Sequence, residues 1–534
     1  MRRRKCFDSP SSSLLTALLV TATVVASVLL VALTSGSSSS FWASSPPASS
    51  SPFTSSFSSW SWRDDAGLRA TSLPPSTAGG AVGSSVELNG GLAQQHPKDE
   101  EGAPWKTLDF LPSPAPSPAT PSEPNNFGNL SETSDIVTES KRERIIDVKL
   151  SRLELDLARA RAAIRLASQS RKSVSPLNDE YVPQGPNYHN AYAFHRSYLE
   201  MEKLFKVYVY EEGEPPLFHD GPCRSIYSME GRFIYNMEMD NQFRTRDPEK
   251  AHVHFLPFSV TKMVKFLYHT RSFDIRPIRV TIVDYVNIIA GKYRFWNRSL
   301  GADHFMLSCH DWGPKASASV SHLYSNSIRV LCNANTSEGF NPSKDASLPE
   351  IHLKTGSTTG FIGGPSASKR PILAFFAGGL HGPIRPILLE HWKGKDNDVQ
   401  VYEYLPKGVS YYDMMRKSKF CICPSGYEVA SPRVVEAIYL ECVPVIISES
   451  YVLPFSDVLN WKSFSVEVPV SEIPNLKKIL MGIPPRQYIR MQRRVRLVQK
   501  HFVISSPPKR FDVFHMILHS IWLRRLNIRV RPED

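Results

Sequence analysis

Short apolar runs alternate with longer helical stretches through the middle of the chain. Three of these runs are too short for helices and predict strands at residues 206–210, 251–258 and 304–309. The stretches between them carry apolar residues at helical spacing, most clearly at residues 280–295. Alternating strands and helices are typical of an α/β domain with a parallel sheet. The pattern therefore predicts one such domain at residues 192–360.

The alternation restarts after residues 334–368, which are rich in Ser, Gly, Asn and Pro and have one strand-like feature near Ile351. The second set comprises predicted strands at residues 372–376, 399–405, 420–423 and 443–447, and predicted helices at residues 385–392, at residues 409–417 and from Pro432. Its order again favours a parallel sheet with right-handed crossovers. We predict a second α/β domain at residues 361–485, facing the first across a cleft, and a basic helical tail at residues 486–534.

The N-terminal region has a different pattern. Residues 14–33 form an uncharged run that is long enough to span a bilayer. Four basic residues precede it at residues 2–5, so the positive-inside rule places the tail at residues 1–13 in the cytosol and the rest of the chain across the membrane. Because the run is longer than the apolar part of a cleaved signal peptide, it predicts a transmembrane signal anchor.

Two segments follow the anchor. Residues 34–140 are rich in Ser and Pro and poor in large aliphatic residues, which predicts a disordered stem. In residues 141–172 apolar residues recur at alternating steps of four and three, so a coiled-coil-like seam is predicted at Ile146, Leu150, Leu153, Leu157, Ala160, Ile164 and Ala167. This seam could dimerise the stem, or it could pack on the globular part of its own chain.

The net charge and its distribution restrict the class of binding partner. The 534 residues carry a formal net charge of +12. The basic residues are dispersed and lack the interleaved aromatic residues of a nucleic-acid reader, which argues against nucleic acid as a partner. A basic surface that meets phosphates, a membrane or an acidic polysaccharide fits the composition better.

Residues 418–448 carry the densest candidate chemistry. Ser431 and Pro432 suit an N-cap and a first helical position, and the free N–H groups of a helix start suit a phosphate. Arg433 and Glu436 are three residues apart and share one helix face. An arginine beside a diphosphate and a carboxylate that accepts ribose hydroxyls would form a nucleotide clamp. The same two residues could also be an ordinary surface ion pair.

This segment resembles a known family. Residues 423–438 read Cys-Pro-Ser-Gly-Tyr-Glu-Val-Ala-Ser-Pro-Arg-Val-Val-Glu-Ala-Ile, and residues 442–448 read Cys-Val-Pro-Val-Ile-Ile-Ser. Together with Val-Leu-Pro-Phe-Ser-Asp-Val-Leu-Asn-Trp at residues 452–461, they resemble the plant-type exostosin-like glycosyltransferases, glycosyltransferase family 47. The resemblance is dense from about residue 205 to residue 470.

The resemblance implies a GT-B-like fold of two Rossmann-type domains, a nucleotide-sugar donor, inversion at the anomeric carbon, and no obligatory metal or other cofactor. It implies that Ser425, Gly426, Arg433 and Glu436 hold the nucleotide. Many relatives have glycine where this chain has Glu441. The resemblance further implies that the C-terminal tail packs back across both domains.

Two more loops are predicted at carboxyl ends of strands, where ligands of open α/β sheets bind. Glycine-rich residues 376–379 precede a helix start with Arg385, a candidate diphosphate ligand. In the first domain, His310, Asp311 and Trp312 follow the third strand. Either Asp311 or His310 could take the proton of an acceptor hydroxyl, and Trp312 could stack on an acceptor sugar. The structural alternatives are a plain turn, a turn cap and a core tryptophan.

Asp396 and Asp398 match the Asp-x-Asp pattern with which GT-A-type transferases hold Mn²⁺ or Mg²⁺. They stand in a polar turn ahead of a predicted strand, whereas a metal site is expected after a strand's carboxyl end. We therefore predict a solvated turn and no metal site, with a metal-dependent GT-A transferase as an alternative.

Cysteines and sequons fit a luminal catalytic region. Cys6 precedes the anchor, and the other six of the seven cysteines would lie in an oxidising lumen. We expect a Cys309–Cys332 disulfide and no bridge between Cys421 and Cys423, which point to the same strand face. Sequons predict glycosylation at Asn129, Asn297 and Asn335.

Taken together, these patterns predict a single-pass type II Golgi membrane protein with a luminal catalytic region. The resemblance implies that it transfers a sugar from a nucleotide-sugar donor, a UDP-sugar, to a cell-wall or matrix polysaccharide. The stem seam leaves a homo- or hetero-dimer open. An alternative is a non-catalytic partner that stabilises a Golgi glycosyltransferase complex.

Overall fold

The computed structural model describes Cys6 and residues 132–170, 181–358 and 360–531. The predicted anchor at residues 14–33 lies outside these residues, as does most of the predicted stem at residues 34–140. Among the helices in the described ranges, none combines the length and the apolar content of a membrane-spanning helix. The anchor therefore stays a prediction.

The first domain is built on a six-stranded parallel sheet. Its strands are β1 (Val207–Val209), β2 (Arg244–Thr245), β3 (Val253–Phe255), β4 (His304–Ser308), β5 (Ile328–Leu331) and β6 (Ala346–Ser347), in the spatial order β2-β1-β3-β4-β5-β6. β1, β3 and β4 confirm the three predicted strands. β2 and β6 are too short to give an apolar pattern. The pattern of β5 is interrupted by Arg329, whose buried Nε donates to Asp345 Oδ1 at 3.1 Å.

Helices precede and surround this sheet. They are α1 (Glu132–Ser170), α2 (Ala191–Leu204), α3 (Ser228–Met239), α4 (Val260–Leu267), α5 (Arg276–Lys292), α6 (Arg294–Ser299), α7 (Gly313–Ser317) and α8 (Ser321–Ser325), with 3₁₀ turns at Pro248–Lys250 and Thr336–Glu338. The helix predicted at residues 280–295 begins earlier, as α5, and gives way to α6 beyond Tyr293, whose extended backbone ends the first helix.

The second domain has a five-stranded parallel sheet. Its strands are β7 (Ile372–Ala377), β8 (Val399–Tyr402), β9 (Ser418–Pro424), β10 (Val443–Ile447) and β11 (Val466–Glu467), in the order β11-β10-β9-β7-β8. Its helices are α9 (Ile384–Trp392), α10 (Tyr411–Lys417), α11 (Pro432–Tyr439) and α12 (Leu476–Met481), with 3₁₀ turns at Ala367–Lys369, Trp461–Ser463 and Val470–Asn475. All four strands predicted here are confirmed. The pairing of Val445 with Ile422 shows the parallel β9–α11–β10 unit that the sequence predicts.

The helix with the predicted seam packs on its own chain. α1 begins at Glu132, so residues 132–140 are helical rather than part of a disordered stem. The seam residues that enter or border the apolar core are Leu153, Leu157, Ala160 and Ile164. The structure thus uses the seam within one chain, which favours the second of the two alternatives. It also moves the start of the folded part from the predicted residue 192 back to α1.

The C-terminal tail connects the two domains. It contains α13 (Pro485–Val498), a 3₁₀ turn at Gln499–Phe502 and α14 (Val513–Asn527). α13 packs against α11 and β10, whereas α14 packs against β5, β6, α1 and α2. The expectation of a tail that packs across both domains is confirmed. Buried residues of α14 and of both sheets belong to one continuous apolar core, so the two sheet domains are not separate folding units in packing terms.

Candidate active site

Polar side chains collect at the carboxyl edges of both sheets. In the first domain, Asp311 follows β4, Asn333 follows β5 and Glu350 follows β6. In the second domain, Glu428 lies in the loop after β9. Asn333 Nδ2 donates to Glu428 Oε2 at 2.7 Å, so the two edges meet. This is the crevice in which open α/β sheets bind their ligands.

The two glycine-containing loops of the second domain touch each other. Gly382, in the loop after β7, has a φ of +70°, and a Cβ there would lie 1.8 Å from the carbonyl oxygen of Gly426. A Cβ at Gly426 would lie 3.0 Å from Arg385 Nη2. Glycine is therefore needed at Gly382 for its left-handed backbone and for the close approach. The loops after β7 and β9 form one rim, as the sequence predicts.

Two arginines of this rim have donors that the fold leaves unused. Arg385 contacts the Gly379 carbonyl oxygen at 3.5 Å, and Arg433 donates to the Ala377 carbonyl oxygen at 2.9 Å and stacks 4.7 Å above the Phe376 ring. The Nε atoms of both arginines are buried and have no hydrogen-bond partner within the described residues. Burial, reinforced by the charge of Arg433, lowers the pKa of Arg385 to about 10. Two guanidinium groups that repel each other and keep buried donors unused form a site for an anion.

The other groups predicted to contact a phosphate make hydrogen bonds within the protein instead. The backbone N–H of Ser425 donates to the Ile447 carbonyl oxygen at 3.0 Å, and that of Gly426 donates within its own loop. The Ser425 hydroxyl donates to Ser448 Oγ at 2.7 Å. Ser431 occupies the N-cap of α11, but its side chain makes no capping bond. Ser425 and Gly426 thus shape the rim, and the free donors come from the arginines.

Glu436 lies on the helix face that also carries the second arginine. Its side chain is buried, so the two residues are not an ordinary surface pair. The carboxylate accepts the hydroxyls of Tyr411 at 3.1 Å and Tyr412 at 3.3 Å, and His352 Nδ1 lies 3.9 Å from Oε1. Beside it, α11 and residues between Ile351 and Thr358 line a narrow cavity of about 10 Å³. An acceptor group next to an anion site suits the ribose of a nucleotide.

The first domain contributes the three residues predicted after β4. His310 Nδ1 accepts the backbone N–H of Trp312 at 3.0 Å, and burial lowers the pKa of His310 to about 4. Because this lone pair is engaged, His310 is a poor proton acceptor. Burial raises the pKa of Asp311, although the bond from the Tyr227 hydroxyl opposes this shift. The Trp312 ring packs edge-on against Tyr268 with centroids 4.9 Å apart, at the border of the core of the first domain.

Four carboxyl groups interact in the cleft: Asp311, Glu338 and Glu350 of the first domain and Glu428 of the second. Burial raises the pKa of Glu428, and the charges of Glu338 and Asp311 raise it further. Glu350 is 5% exposed, and burial followed by the charges of Asp311 and Glu436 raises its pKa. The first-domain edge is therefore acidic and is faced by Glu428, whereas the two arginines make the neighbouring part of the second-domain rim cationic.

Asp396 and Asp398 lie away from the cleft, ahead of the amino end of β8. Lys477 Nζ pairs with both carboxylates, at 2.7 and 2.9 Å. The second oxygen of Asp396 accepts the backbone N–H groups of Asp398 and Val399. The structure agrees with a solvated turn, and the GT-A alternative loses its candidate ligands because their oxygens are already neutralised and bonded.

His254, Asp303 and His304 form the one set of three potential metal ligands among the residues that the structure describes. The set is fully buried in the first domain. Asp303 accepts bonds from Arg298 at 2.8 Å, from Ser299 Oγ at 2.6 Å and from His304 Nδ1 at 2.8 Å. Because Arg298 already supplies the positive charge, Asp303 and His304 belong to a core hydrogen-bond network, and the His254 ring stacks on His304 with centroids 4.8 Å apart.

The structure contains the expected Cys309–Cys332 disulfide, with Cα atoms 4.6 Å apart. A second disulfide joins Cys421 to Cys442, and Cys423 is free and buried, so Cys421 and Cys423 do not bridge each other. The third joins Cys6 to Cys223. That bond places Cys6 beside the first domain, which differs from the predicted cytosolic position of Cys6.

The sequons differ in their surroundings. Asn297 is exposed on α6. Asn335 is 8% exposed, and its Nδ2 donates to Glu338 Oε1 at 3.3 Å, so a glycan on this nitrogen is incompatible with the observed packing. Asn129 lies outside the described residues.

Residues 201–483 match the family of the Exostosin GT47 domain. This span contains both sheets and all the cleft residues named above. The chain belongs to this family. It is a glycosyltransferase, and its two parallel-sheet domains are consistent with a GT-B-like fold.

This GT47 chain is 65% identical over 404 residues to "Probable glycosyltransferase At5g03795" of Arabidopsis thaliana, covering 76% of this chain and 77% of the relative. It is 27% identical over 343 residues to "Probable glucuronosyltransferase Os01g0926600" of Oryza sativa subsp. japonica, with 59% and 80% covered. The same identity over 345 residues, with 59% and 81% covered, holds for "Probable beta-1,4-xylosyltransferase IRX10" of Arabidopsis thaliana.

Sequence reasoning missed several residues of the GT47 cleft. Tyr411 and Tyr412, which bond Glu436, have no sequence signal beyond their place at a predicted helix start. Glu428 lies two residues after Gly426 inside the segment that carries the resemblance, so its position was available from the motif. Glu350 follows a two-residue strand that has no apolar pattern, and nothing local distinguishes it from a surface glutamate.

Proposed function

We propose that this glycosyltransferase moves a sugar from a UDP-sugar to a hydroxyl of a cell-wall or matrix polysaccharide, with inversion at the anomeric carbon. The observation that carries the proposal is the arginine pair. Arg385 and Arg433 lie in the first turns of α9 and α11 at one rim, repel each other, and keep buried Nε–H donors without a partner in the described residues. A diphosphate between them removes the repulsion and satisfies both donors.

The nucleoside follows from the geometry next to this pair. Glu436, which lies on the same helix face as Arg433, would accept ribose hydroxyls. Uridine comes from the family resemblance, because the clamp itself suits any nucleoside diphosphate. The relatives named as xylosyl- and glucuronosyltransferases support a polysaccharide acceptor of the plant cell wall.

Two guanidinium groups can supply the positive charge that stabilises a departing diphosphate. We therefore propose that transfer does not depend on a metal ion. On the acceptor side, a single displacement with inversion needs a base for the acceptor hydroxyl, and the acidic groups of the first domain supply candidates.

We propose that the enzyme is a single-pass type II protein of the Golgi membrane with its catalytic domains in the lumen, anchored by residues 14–33. In this topology Cys6 lies in the reducing cytosol. This topology conflicts with the Cys6–Cys223 bond of the structure. Disulfide mapping of the full chain decides between them, and the topology requires that Cys6 is found reduced. A mapped Cys6–Cys223 bond would place both residues on the same side of the membrane and would overturn this topology.

The donor proposal is tested by thermal unfolding of the full-length protein with a panel of UDP- and GDP-sugars in the presence of a chelator. A ligand at about 100 times its dissociation constant should stabilise the fold by about 2.7 kcal/mol. We expect this shift with one family of nucleotide sugars, followed by transfer to a polysaccharide acceptor. Stabilisation that appears only after Mn²⁺ is added would contradict metal independence, and no stabilisation with any nucleotide sugar would contradict the donor site.

A further inference from the structure

Glu350 is a buried acid of the cleft that the fold does not employ. It is the third residue after β6 and is 5% exposed. Within the described part of the chain, its carboxyl group accepts no hydrogen bond. Its electrostatic neighbours come from both domains: Asp311 from the first, and Arg385 and Glu436 from the second. Glu350 therefore lies where the acidic and the cationic edges of the cleft meet.

His310 and the other carboxylates named for the cleft are engaged in hydrogen bonds. Asp311 receives the Tyr227 hydroxyl, Glu428 receives Asn333 Nδ2 at 2.7 Å, and His310 Nδ1 receives a backbone N–H at 3.0 Å. The remaining carboxylates, Glu338 and Glu436, also accept side-chain hydrogen bonds. A carboxylate with unengaged oxygens is the one best able to receive a proton from a substrate.

The surroundings also make Glu350 a stronger base than an exposed glutamate. Burial and the negative charges of Asp311 and Glu436 raise its pKa, whereas Arg385 opposes the shift. Tyr227 and Tyr451 also lie within electrostatic range of Glu350. A carboxylate with a raised pKa that is still ionised at the working pH is effective in general base catalysis.

We propose that Glu350 is the catalytic base of the transfer. This inference rests on the function proposed above. The acceptor oxygen attacks the anomeric carbon and forms the new glycosidic bond while the bond from that carbon to the diphosphate oxygen breaks. The hydroxyl proton goes to the Glu350 carboxylate, and the bonding electron pair leaves with the nucleoside diphosphate beside Arg385 and Arg433. No oxidant, reductant or further reactant is needed.

The test compares Glu350→Gln with the wild-type protein in two assays. Glu350→Gln should keep the thermal stabilisation by the UDP-sugar and lose transfer by about 10²- to 10⁴-fold in kcat, with little change in donor KM. Asp396→Asn is the matched control, because that residue lies outside the cleft, and it should transfer normally. Transfer by Glu350→Gln within ten-fold of wild type, or loss of donor binding in this variant, overturns the proposal.

Two further measurements separate a base from a structural residue. Wild-type kcat should fall as the pH drops through the raised pKa of Glu350, because the base becomes protonated, and the residual rate of Glu350→Gln should lack this fall. Formate should restore part of the transfer by Glu350→Ala, since it can occupy the vacated space and accept the proton. Absence of both effects overturns the proposal.

The stability of Glu350→Gln gives an independent check. A folded-state pKa above the unfolded value means that Glu350 favours folding at low pH and opposes it as the pH rises. Glu350→Gln should therefore unfold at a higher temperature than wild type at neutral pH, with a smaller difference at acidic pH. A variant that is less stable at neutral pH would indicate a structural role.

If the wild-type protein itself binds no nucleotide sugar, the proposed function fails first, and the two failures are thus distinguishable.

Discussion

The two sheet domains share one architecture and present opposite charges at the same edge. In the second domain, the helices that follow β7 and β9 carry Arg385 and Arg433 in their first turns, with unused donors. In the first domain, the residues after β4 and β6 provide Asp311 and Glu350, whose pKa values are raised by burial. The topology of a parallel sheet creates a crevice at its carboxyl edge whatever residues line it. The residues at that edge therefore determine which part of a substrate each domain can bind.

Under the proposed function, this difference in charge assigns the two halves of the transfer reaction to the two edges. Cationic groups stabilise a departing diphosphate, and ionisable acids accept a proton from an incoming hydroxyl. Asn333, which bonds Glu428 across the cleft, holds the two edges in register at 2.7 Å. The contrast between a cationic and an acidic edge can be challenged by changing each edge separately.

The largest effect on donor affinity is expected at the cationic edge. Replacing Arg385 or Arg433 by Ala removes charge-assisted bonds to a diphosphate of about 1.5–3 kcal/mol each, so donor affinity should fall about 10- to 100-fold for each variant and further for the double variant. Donor-dependent thermal stabilisation measures this loss. Arg416→Ala, which removes a surface pair with Asp413, is the control and should bind normally. Unchanged donor affinity in both cleft variants would show that the arginine pair is not the diphosphate site.

The next effect is on stability, and it concerns α1, the helix that packs on the first domain. Leu157 of α1 is fully buried in the shared core, so Leu157→Ala should destabilise the fold by about 2–5 kcal/mol. Leu155, on the same helix, is 50% exposed, and Leu155→Ala should change stability by about 0.5 kcal/mol or less. Denaturant unfolding measures both. Equal, small effects in the two variants, together with dissociation of a dimer, would indicate that the seam serves a coiled coil instead.

Each domain also carries one disulfide whose two cysteines both lie within it, which allows a matched pair of variants. Cys309–Cys332 and Cys421–Cys442 have sequence separations of 23 and 21, so losing either should cost about 3 kcal/mol of stability. Cys309 directly precedes His310 at the acidic edge, whereas Cys421 lies inside β9. At a permissive temperature we therefore expect lower kcat for Cys309→Ser/Cys332→Ser only. Equal kcat in the two double variants would remove this distinction between the domains.

A smaller effect is expected at the turn after α11. Glu441 has a φ of +54°, a left-handed conformation that favours glycine, and it lies 3.6 Å from the exposed Arg496. Glu441 is 8% exposed, but its partner is open to solvent, which weakens the pair. Glu441→Gly should stabilise the protein by about 0.5–1 kcal/mol, because relief of the backbone cost outweighs the loss of this pair. Glu441→Ala keeps the left-handed cost and serves as the control. Thermal unfolding that shows no gain for glycine over alanine would contradict this explanation.

The smallest effect is expected outside both edges. Asp396→Asn with Asp398→Asn breaks the pairs with Lys477 and should cost about 1 kcal/mol or less. The bond to Lys477 lowers the pKa of Asp396, so its contribution is present at neutral pH and is lost as the pH falls through the folded-state value. Transfer, with or without chelator, should be unchanged. A large loss of transfer would indicate that the Asp-x-Asp turn binds a metal ion.

The sequence determined the secondary-structure elements and the positions of part of the proposed nucleotide clamp. Apolar runs bounded by turn residues gave the strands of the second domain, because burial of a parallel strand leaves a continuous apolar signature. Arg433 and Glu436 were placed on one helix face by their spacing, and Arg385 was placed at the carboxyl edge by its position after β7. These inferences hold because they depend on neighbours a few residues away.

Only the tertiary structure decided which polar groups are free to act. The pairing of Asp396 with Lys477 joins residues 81 positions apart, and Ser425 is satisfied by Ser448 from the next strand. Leu157 is buried by elements that are distant in sequence, so the local pattern could not identify its partners. Its burial showed that the seam packs within its own chain. Glu350 has no local signature, since its lack of a hydrogen-bond donor and its charged neighbours arise where two domains meet. Hydrogen-bond satisfaction and desolvation are properties of the packed chain, so they cannot be read from spacing along it.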